Sequence, residues 1–283
     1  MTHSANSTDD VIKMENSTEQ KSVERAAKLA PKHLYEVIRR DGEEELDRTK
    51  RALIWSGIAA GIMISFSVVG EAIFRTYLPQ ADYSYLVENL GYSLGFLLVI
   101  LGRMQLFTEN TITTVLPAMH DPSIKMLLRV ARLWLIVLAA NVVGAFAVAI
   151  LFVFTPALPP ELTPAMLELS RHATGFPTGE AFFRAIPAGV LVAAIVWMLP
   201  QANGGAFMVI TVFTWLIAAG DFTHIIAGSV EMAYLMVQGL LPLGQALTQF
   251  FLPVLAGNIV GGTVIFSLMA YGQVKDEMVA HND

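Results

Sequence analysis

The residues best suited to chemistry lie inside an apolar stretch, LIAAGDFTHIIAGSVEMAYL, at residues 216–235. The stretch carries His224 between two carboxylates, Asp221 and Glu231, with a glycine on either side of the histidine. An imidazole changes charge near neutral pH, so it can accept and release a proton. Charges within membrane-spanning segments cost at least about 2.5 kcal/mol each and are typically paired or functional. The stretch therefore predicts a buried proton-handling site, and the alternative is a neutral histidine bonded to a threonine or a backbone carbonyl.

The composition places this stretch in a membrane protein. Of the 283 residues, 54% are hydrophobic and 15% are charged, whereas soluble domains carry about 25% charged residues. Long uncharged runs lead to the same prediction. The absence of cysteine excludes disulfides and thiolate metal sites. The net charge of −6 does not suggest a nucleic-acid partner, because such proteins carry a basic surface.

Uncharged runs predict six membrane-spanning helices, so the predicted fold class is an all-α integral membrane protein in the lipid bilayer. The predicted spans are about 53–70, 85–119, 133–154, 182–199, 206–238 and 246–271. Arg103 and Glu109 interrupt the second span, and residues 220–224 interrupt the fifth. Lysine and arginine cluster before span one, between spans two and three, and after span six. This bias predicts that both termini are cytoplasmic and that the loop 155–181 lies outside.

An internal repeat relates the two halves of this region. LAANVVGAF at 138–146 matches LAGNIVGGT at 255–263 at five of nine positions. The repeat unit is three spans, an odd number, so we expect two inverted three-helix repeats in which the interrupted spans are equivalent. Interrupted spans at matching positions of inverted halves indicate a transport site. Close helix packing is the predicted role of the asparagines and glycines shared by the two segments, which are Asn141, Gly144, Asn258 and Gly261.

The two interruptions read GRMQLFTENT at 102–111 and GDFTHIIAG at 220–228. Non-helical backbone at membrane depth persists only where protein buries it or where it lines a cavity. Each break exposes helix ends, and two helix N-termini that meet near the midplane favour an anionic ligand. No histidine pairs with His224 at zinc-ligand spacing, and no phosphate-binding loop or nucleophile elbow is present. The sequence therefore predicts no metal, no cofactor and no enzymatic activity.

The remaining segments are polar. We expect residues 1–50 to form a cytoplasmic N-terminal segment, disordered over 1–30 and helical over about 32–50, with Gly42 weakening the helix. This helix is predicted to lie on the cytosolic surface, or alternatively to plug a pore mouth. The six-span transport domain is predicted to cover 51–272, and a cytoplasmic C-terminal tail to cover 273–283.

Around both interruptions the sequence resembles the formate/nitrite transporter family. The family's first break has an acidic residue, then Leu-Phe-Thr and Asn-Thr, and residues 105–111 read QLFTENT. Its second break has Phe-x-His with a small residue three positions on, and residues 222–227 read FTHIIA. The resemblance implies a homo-pentamer of aquaporin-like protomers with interrupted helices 2 and 5. It also implies a divergent proteobacterial subgroup located in the inner membrane.

By position in these motifs, the resemblance implies roles for individual residues. His224 is the central pore residue and proton relay, and Thr108 is the threonine that contacts it. The implied apolar constrictions are Tyr92, Phe96, Leu106, Phe107 and Ile217. The implied substrates are small monovalent anions of weak acids, such as formate, nitrite or lactate, often moved with a proton. The anion would be protonated near the histidine and cross as a neutral acid, which avoids most of the desolvation cost of an anion.

The sequence departs from the family pattern around the predicted vestibule. The lysine common before span four is missing from residues 171–184, where Arg171 or Arg184 is the candidate vestibule cation. The asparagine usually found four residues after the histidine is replaced by Gly228. Arg103 occupies a position that is usually glycine.

Buried charges near the breaks leave other functions open. They are predicted at Arg103, Glu109, Asp221, Glu231 and Glu71. We expect Arg103 to form a structural ion pair with Glu109, Asp221 or Glu231, or alternatively to lie in the permeation path. The glutamates would also suit a pore for neutral solutes or cations. A third possibility is a non-conducting membrane protein that interacts or senses through its N-terminal 50 residues.

Overall fold

The structure, a computed structural model, describes residues 29–279 and the side chains of residues 29–275. The predictions for residues 1–28 and for the end of the C-terminal tail therefore lie outside the described residues. Within the described part, every regular element is helical and no strand occurs.

The helices are numbered in chain order. They are α1 (Pro31–Asp47), α2 (Lys50–Met63), α3 (Ser65–Tyr77), α4 (Ser84–Glu88), α5 (Ser93–Leu101), α6 (Phe107–Thr113), α7 (Val115–His120), α8 (Ile124–Phe154), α9 (Thr163–Thr174), α10 (Thr178–Met198), α11 (Ala206–Ala219), α12 (Ile225–Val237), α13 (Leu243–Gln245), α14 (Leu252–Ile259) and α15 (Leu268–Val279). Short 3₁₀ segments cover Asn89–Tyr92, Pro160–Leu162 and Leu199–Gln201. Two π-helical segments, Ala246–Phe251 and Val260–Ser267, join α13, α14 and α15.

The six-span architecture is confirmed. The helical segments long and apolar enough to cross a membrane are Lys50–Tyr77, Ser84–Leu101, Ile124–Phe154, Thr178–Gln201 and Leu243–Lys275. Span two continues from Ser84–Leu101 into α6 and α7, and span five consists of the two shorter apolar helices α11 and α12. The halves repeat the same packing, since α2 lies against α8 in the first half and α10 against α14 in the second.

The non-helical residues are 102–106 and 220–224, and the helix resumes at Phe107 and Ile225. The first break is therefore shorter than the predicted 102–111, whereas the second matches the predicted interruption of the fifth span. Thr108 and Glu109, which were predicted to lie in the first break, are therefore helical. Polar residues can resume a helix here because backbone bonds such as Asn110 N to Leu106 O (3.3 Å) form as soon as the chain turns.

Helix α1 packs tightly against the bundle, and Gly42 does not interrupt it. The helix runs unbroken through Gly42, which is buried. A Cβ at this position would lie 1.9 Å from the carbonyl oxygen of Thr113, so only glycine permits the approach. Tyr35 and Ile38 are buried beside it and form a small core with the end of span two.

The loop 155–181 contains a helix that the sequence interpretation missed. Helix α9 buries Ala165, Met166 and Leu169 against the bundle, and its neighbours include α12 and α3. Because α1 precedes the first span and α9 follows the third, these helices mark opposite ends of the bundle. These ends are called the α1 face and the α9 face below.

Candidate permeation site

The two breaks have the same backbone geometry. Arg103 and Asp221 each follow a glycine and adopt left-handed φ angles of 50° and 56°. The amide of Met104 donates to Val99 O at 3.0 Å, and the amide of Phe222 donates to Ile217 O at 2.9 Å. Residues 102–107 are therefore the structural equivalents of residues 220–225, as the inverted repeat predicts.

An asparagine from the repeat motif holds the first break in place. Asn141 is fully buried. Its side-chain oxygen accepts from the amide of Phe107 at 2.9 Å. Its side-chain nitrogen donates to Gly57 O and to Gln105 O, both at 2.8 Å. The side chain thereby ties the start of α6 to α2 and to the break itself.

Asn258 does the same at the second break. Its oxygen accepts from the amide of Ile225 at 2.8 Å, and its nitrogen donates to Ala185 O at 2.8 Å and Thr223 O at 3.1 Å. The prediction that both asparagines serve only helix packing is therefore wrong, because each satisfies two backbone groups of the broken span and also bonds to a carbonyl of a neighbouring helix.

The glycines of the repeat do serve close packing, as predicted. A Cβ at Gly144 would lie 2.3 Å from Ile58 O, and one at Gly261 would lie 2.1 Å from Ile186 O. Both glycines therefore let neighbouring backbones approach to distances that no side chain allows.

His224 caps the start of α12 at the centre of the bundle and is 2% exposed. Its Nδ1 accepts from the amide of Ala227 at 3.2 Å, and its Nε2 lies 2.9 Å from Thr108 Oγ1. A neutral imidazole has one donor and one acceptor nitrogen, so Nε2 carries the hydrogen and donates to Thr108. Thr223 directly precedes His224 in the sequence, but its hydroxyl donates to Ala181 O at 2.8 Å rather than to the imidazole.

The five residues implied as constrictions are all buried: Tyr92, Phe96, Leu106, Phe107 and Ile217. Phe96 stands edge-on to the His224 ring with a centroid distance of 5.0 Å, and Tyr92 lies 5.2 Å from Phe96. Phe107 packs against Trp134 of α8 at 5.6 Å. The apolar ring of Phe96 therefore lies directly beside His224, with the ring of Tyr92 next to it.

A cavity of about 230 Å³ opens at the α9 face and reaches His224. Its lining includes Glu71, Tyr92, Asp221 and Glu231. Glu71 and Glu231 are each 6% exposed. In the vestibule that leads to the histidine, carboxylates thus outnumber the two basic residues of the lining, Arg75 and His172.

Asp221 is held by two basic side chains of this face. Its Oδ2 lies 3.2 Å from Arg184 Nη1, and its Oδ1 lies 2.8 Å from His172 Nε2. The hydrogen bond to Asp221 raises the pKa of His172. His172 was not among the predicted residues. The sequence signal available for it was a histidine at the end of an amphipathic segment, 163–174, within the predicted outer loop.

The predicted pairing of Arg103 with Asp221 or Glu231 is wrong, and Arg103 is exposed rather than buried. The inverted repeat explains this: Arg103 and Asp221 are equivalent residues, so they lie toward opposite faces. Arg103 forms no ion pair with any residue that the structure describes. Its charge acts at the α1 face, where burial raises the pKa of Asp41 and Arg103 opposes that rise. The predicted partner Glu109 is half-buried nearby.

The two candidate vestibule cations differ. Arg184 does not line the cavity itself but contacts two residues that do, since it binds Asp221 and stacks on the Phe176 ring at 4.5 Å. It also pairs with Glu180 at 2.8 Å. Arg171 is exposed and does not line the cavity. Arg184 is thus the better placed of the two, but its charge is already balanced by carboxylates.

Comparison with known proteins relates the whole bundle to one family. A family model described as formate/nitrite transporter matches residues 32–272. The inner membrane protein YfdC of Escherichia coli (strain K12) is 44% identical over 245 residues, which are 87% of this chain and 79% of that protein. The formate channel FocA of Haemophilus influenzae is 26% identical over 74% of this chain and 82% of its own length.

Two solved structures share the fold. A pentameric formate channel with formate bound superposes with a TM-score of 0.68 at 23% identity, covering 81% of this chain and 99% of that one. An FNT family ion channel superposes with a TM-score of 0.70 at 18% identity, covering 86% of this chain and 99% of that one.

Proposed function

This chain belongs to the formate/nitrite transporter family, and we propose that it carries small weak acids of the formate, nitrite or lactate kind across a bacterial inner membrane. The relatives named as a formate channel and as an inner membrane protein support the substrate class and the location. The similar pentameric structure supports assembly as a homo-pentamer. The lysine and arginine bias of the loops supports an orientation with the α1 face in the cytoplasm.

The observation that carries the proposal is the contact between His224 and Thr108 at the end of the vestibule. It joins the two inverted halves at 2.9 Å, directly beside the ring of Phe96. A bare anion that passed these rings would lose most of its hydration, whereas the neutral acid loses far less. We propose that the anion gains a proton at this point and that His224 relays it, with Thr108 orienting the imidazole.

The acidic vestibule adds a condition to this mechanism. Glu71, Glu231 and Asp221 line the path to His224, and carboxylates disfavour an approaching anion. The anion therefore enters from the α9 face only after the carboxyl groups are protonated, whereas acid that enters undissociated passes without the relay. Either route predicts that flux increases as the external pH falls.

A second candidate function is a pore for cations or neutral solutes, which the carboxylates of the same vestibule favour. A third, a sensing role without conduction, is favoured by the packing of α1 beneath the first break. There Glu45 accepts a hydrogen bond from the side chain of Gln105.

Reconstitution of the full-length protein into liposomes tests the proposal. Formate, nitrite and lactate flux would be followed from about pH 5 to pH 8 for the wild type, His224→Ala and His120→Ala. His120 is exposed at the end of α7 and serves as the matched histidine control. We expect flux to fall at least tenfold in His224→Ala and to stay unchanged in His120→Ala. Absence of flux of every anion in the wild type refutes the transport proposal, and normal flux in His224→Ala refutes the relay.

A further inference from the structure

Two carboxylates in the vestibule have no partner within the described part of the chain. Glu71 of α3 and Glu231 of α12 are each 6% exposed and line the same cavity. Neither side chain forms a hydrogen bond or an ion pair with any residue between 29 and 275. Buried ionisable groups in a membrane protein are expensive and mark substrate or ion pathways. A missing partner at such a site suggests that the ligand supplies it.

The nearby cations are already committed to other carboxylates. Arg75 pairs with Glu88 at 2.7 Å and with Glu168 at 3.4 Å. Arg184 pairs with Asp221 and Glu180. Among the described residues no guanidinium forms an ion pair with Glu71 or Glu231. Arg75 and His172 also line the cavity, but the four carboxylates of Glu71, Glu168, Asp221 and Glu231 outnumber them.

A third polar group is aimed into the same space. Tyr92 is 7% exposed and lines the cavity, and its hydroxyl has no hydrogen-bond partner among the described residues. The rings of Phe222 and Phe250 also line the wall. The ring of Phe176, which also lines the vestibule, already contacts a cation, since the Arg184 guanidinium lies 4.5 Å from its centroid.

We propose that this vestibule binds a small protonated amine, of the size of ammonium or methylammonium, between Glu71 and Glu231. The N–H groups of such a cation would donate to the two carboxylates and to the oxygen of Tyr92, and its charge would lie against the aromatic wall. A metal ion fits less well, because no group of three or more metal-ligating side chains occurs among the described residues. The proposal goes beyond weak-acid transport and does not require that formate be carried.

The same pore can pass such a ligand once it is neutral. The bound cation transfers one proton to a vestibule carboxylate, so that R–NH₃⁺ and COO⁻ become R–NH₂ and COOH. The neutral amine can then pass Phe96 and His224 without the desolvation cost of a cation. The carboxylic acid returns its proton to the solvent at the α9 face. The apolar rings exclude both anions and cations, whereas the charges that line the vestibule determine which ionic form of the ligand is concentrated at the entrance.

Uptake of radiolabelled methylammonium by liposomes that contain the full-length protein tests this proposal. We expect saturable uptake above that of empty liposomes, which ammonium inhibits and equal concentrations of sodium or potassium do not. Glu71→Gln and Glu231→Gln should each lower uptake at least tenfold. The matched control is Glu161→Gln, a carboxylate exposed on the same face but outside the cavity, which should change uptake less than twofold.

Elution of the oligomer from a sizing column checks that each variant folds. Tyr92→Phe is a milder variant, and it should raise the half-saturating concentration of methylammonium at least threefold. Uptake equal to that of empty liposomes, inhibition by sodium, or full uptake in both glutamine variants overturns the proposal. Formate flux measured in the same liposomes separates the two proposals. Formate flux without methylammonium uptake refutes the amine site alone, and the reverse result refutes weak-acid transport alone.

Discussion

Replacing Asn258 by alanine tests whether the repeat asparagines hold the breaks or only let helices approach. Alanine is small, apolar and favourable in helices, so a pure packing role predicts that Asn258→Ala is tolerated. The structure predicts the opposite, because the change leaves Ile225 N, Ala185 O and Thr223 O without their partner. The same reasoning applies to Asn141→Ala in the other half.

The expected loss follows from the number of bonds. Side-chain hydrogen bonds in membrane proteins contribute about 0.6 kcal/mol each on average and up to about 1.7 kcal/mol. Three bonds at each asparagine therefore predict a loss of about 2 to 5 kcal/mol, since water has little access to these buried groups. Because the two asparagines make equivalent bonds, the two variants should lose stability to within about 1 kcal/mol of each other.

Unfolding by SDS in mixed micelles, followed by circular dichroism, measures these differences. The matched control is Thr211→Val, which removes a buried hydroxyl that has no partner in the described structure and should be neutral or slightly stabilising. Losses below about 1 kcal/mol in both asparagine variants, or losses no larger than that of Thr211→Val, would refute the role assigned to them.

Three further predictions concern the site and the N-terminal helix. Thr108→Val should lower formate flux about tenfold, which corresponds to one hydrogen bond of about 1.4 kcal/mol to His224; unchanged flux would contradict its orienting role. Because the pKa of His172 is raised by Asp221, its contribution to stability is complete below about pH 6.5 and is lost as pH rises through the raised value. The melting temperature of His172→Gln should therefore fall below that of the wild type at about pH 6 and match it at alkaline pH; a constant difference would contradict the linkage. Gly42→Ala favours an isolated helix by about 1 kcal/mol but would place a methyl group 1.9 Å from Thr113 O, so limited proteolysis should cleave α1 faster, and equal cleavage would contradict the packing.

Much of the fold followed from the sequence because the physical signals were local. Long uncharged runs gave the spans, and the repeated Leu-Ala-x-Asn segments gave the inverted halves and hence the equivalence of the two breaks. His224 stood out because an imidazole in an apolar segment is costly. The exact end of the first break did not follow, since Thr108 and Glu109 are as compatible with a loop as with a helix until the chain turns at residues 102–106.

The partners of the charged residues could not be predicted in this way. Arg103 and Asp221 are charged residues at the two breaks, and opposite charge suggested an ion pair. The inverted symmetry places them at opposite faces, where Asp221 binds Arg184 and His172 instead. Ion pairs depend on distances of a few ångströms between residues far apart in sequence, which periodicity and composition do not contain.

By itself, the sequence determined that this is a membrane protein of two inverted, interrupted halves with a histidine at the second interruption. Only the tertiary structure decided what surrounds that histidine: Thr108 from the other half, the ring of Phe96, and a vestibule in which Glu71 and Glu231 have no partner among the described residues. The physical reason is that burial and hydropathy act through local sequence, whereas hydrogen bonds and charge pairs form between residues that only the folded bundle brings together.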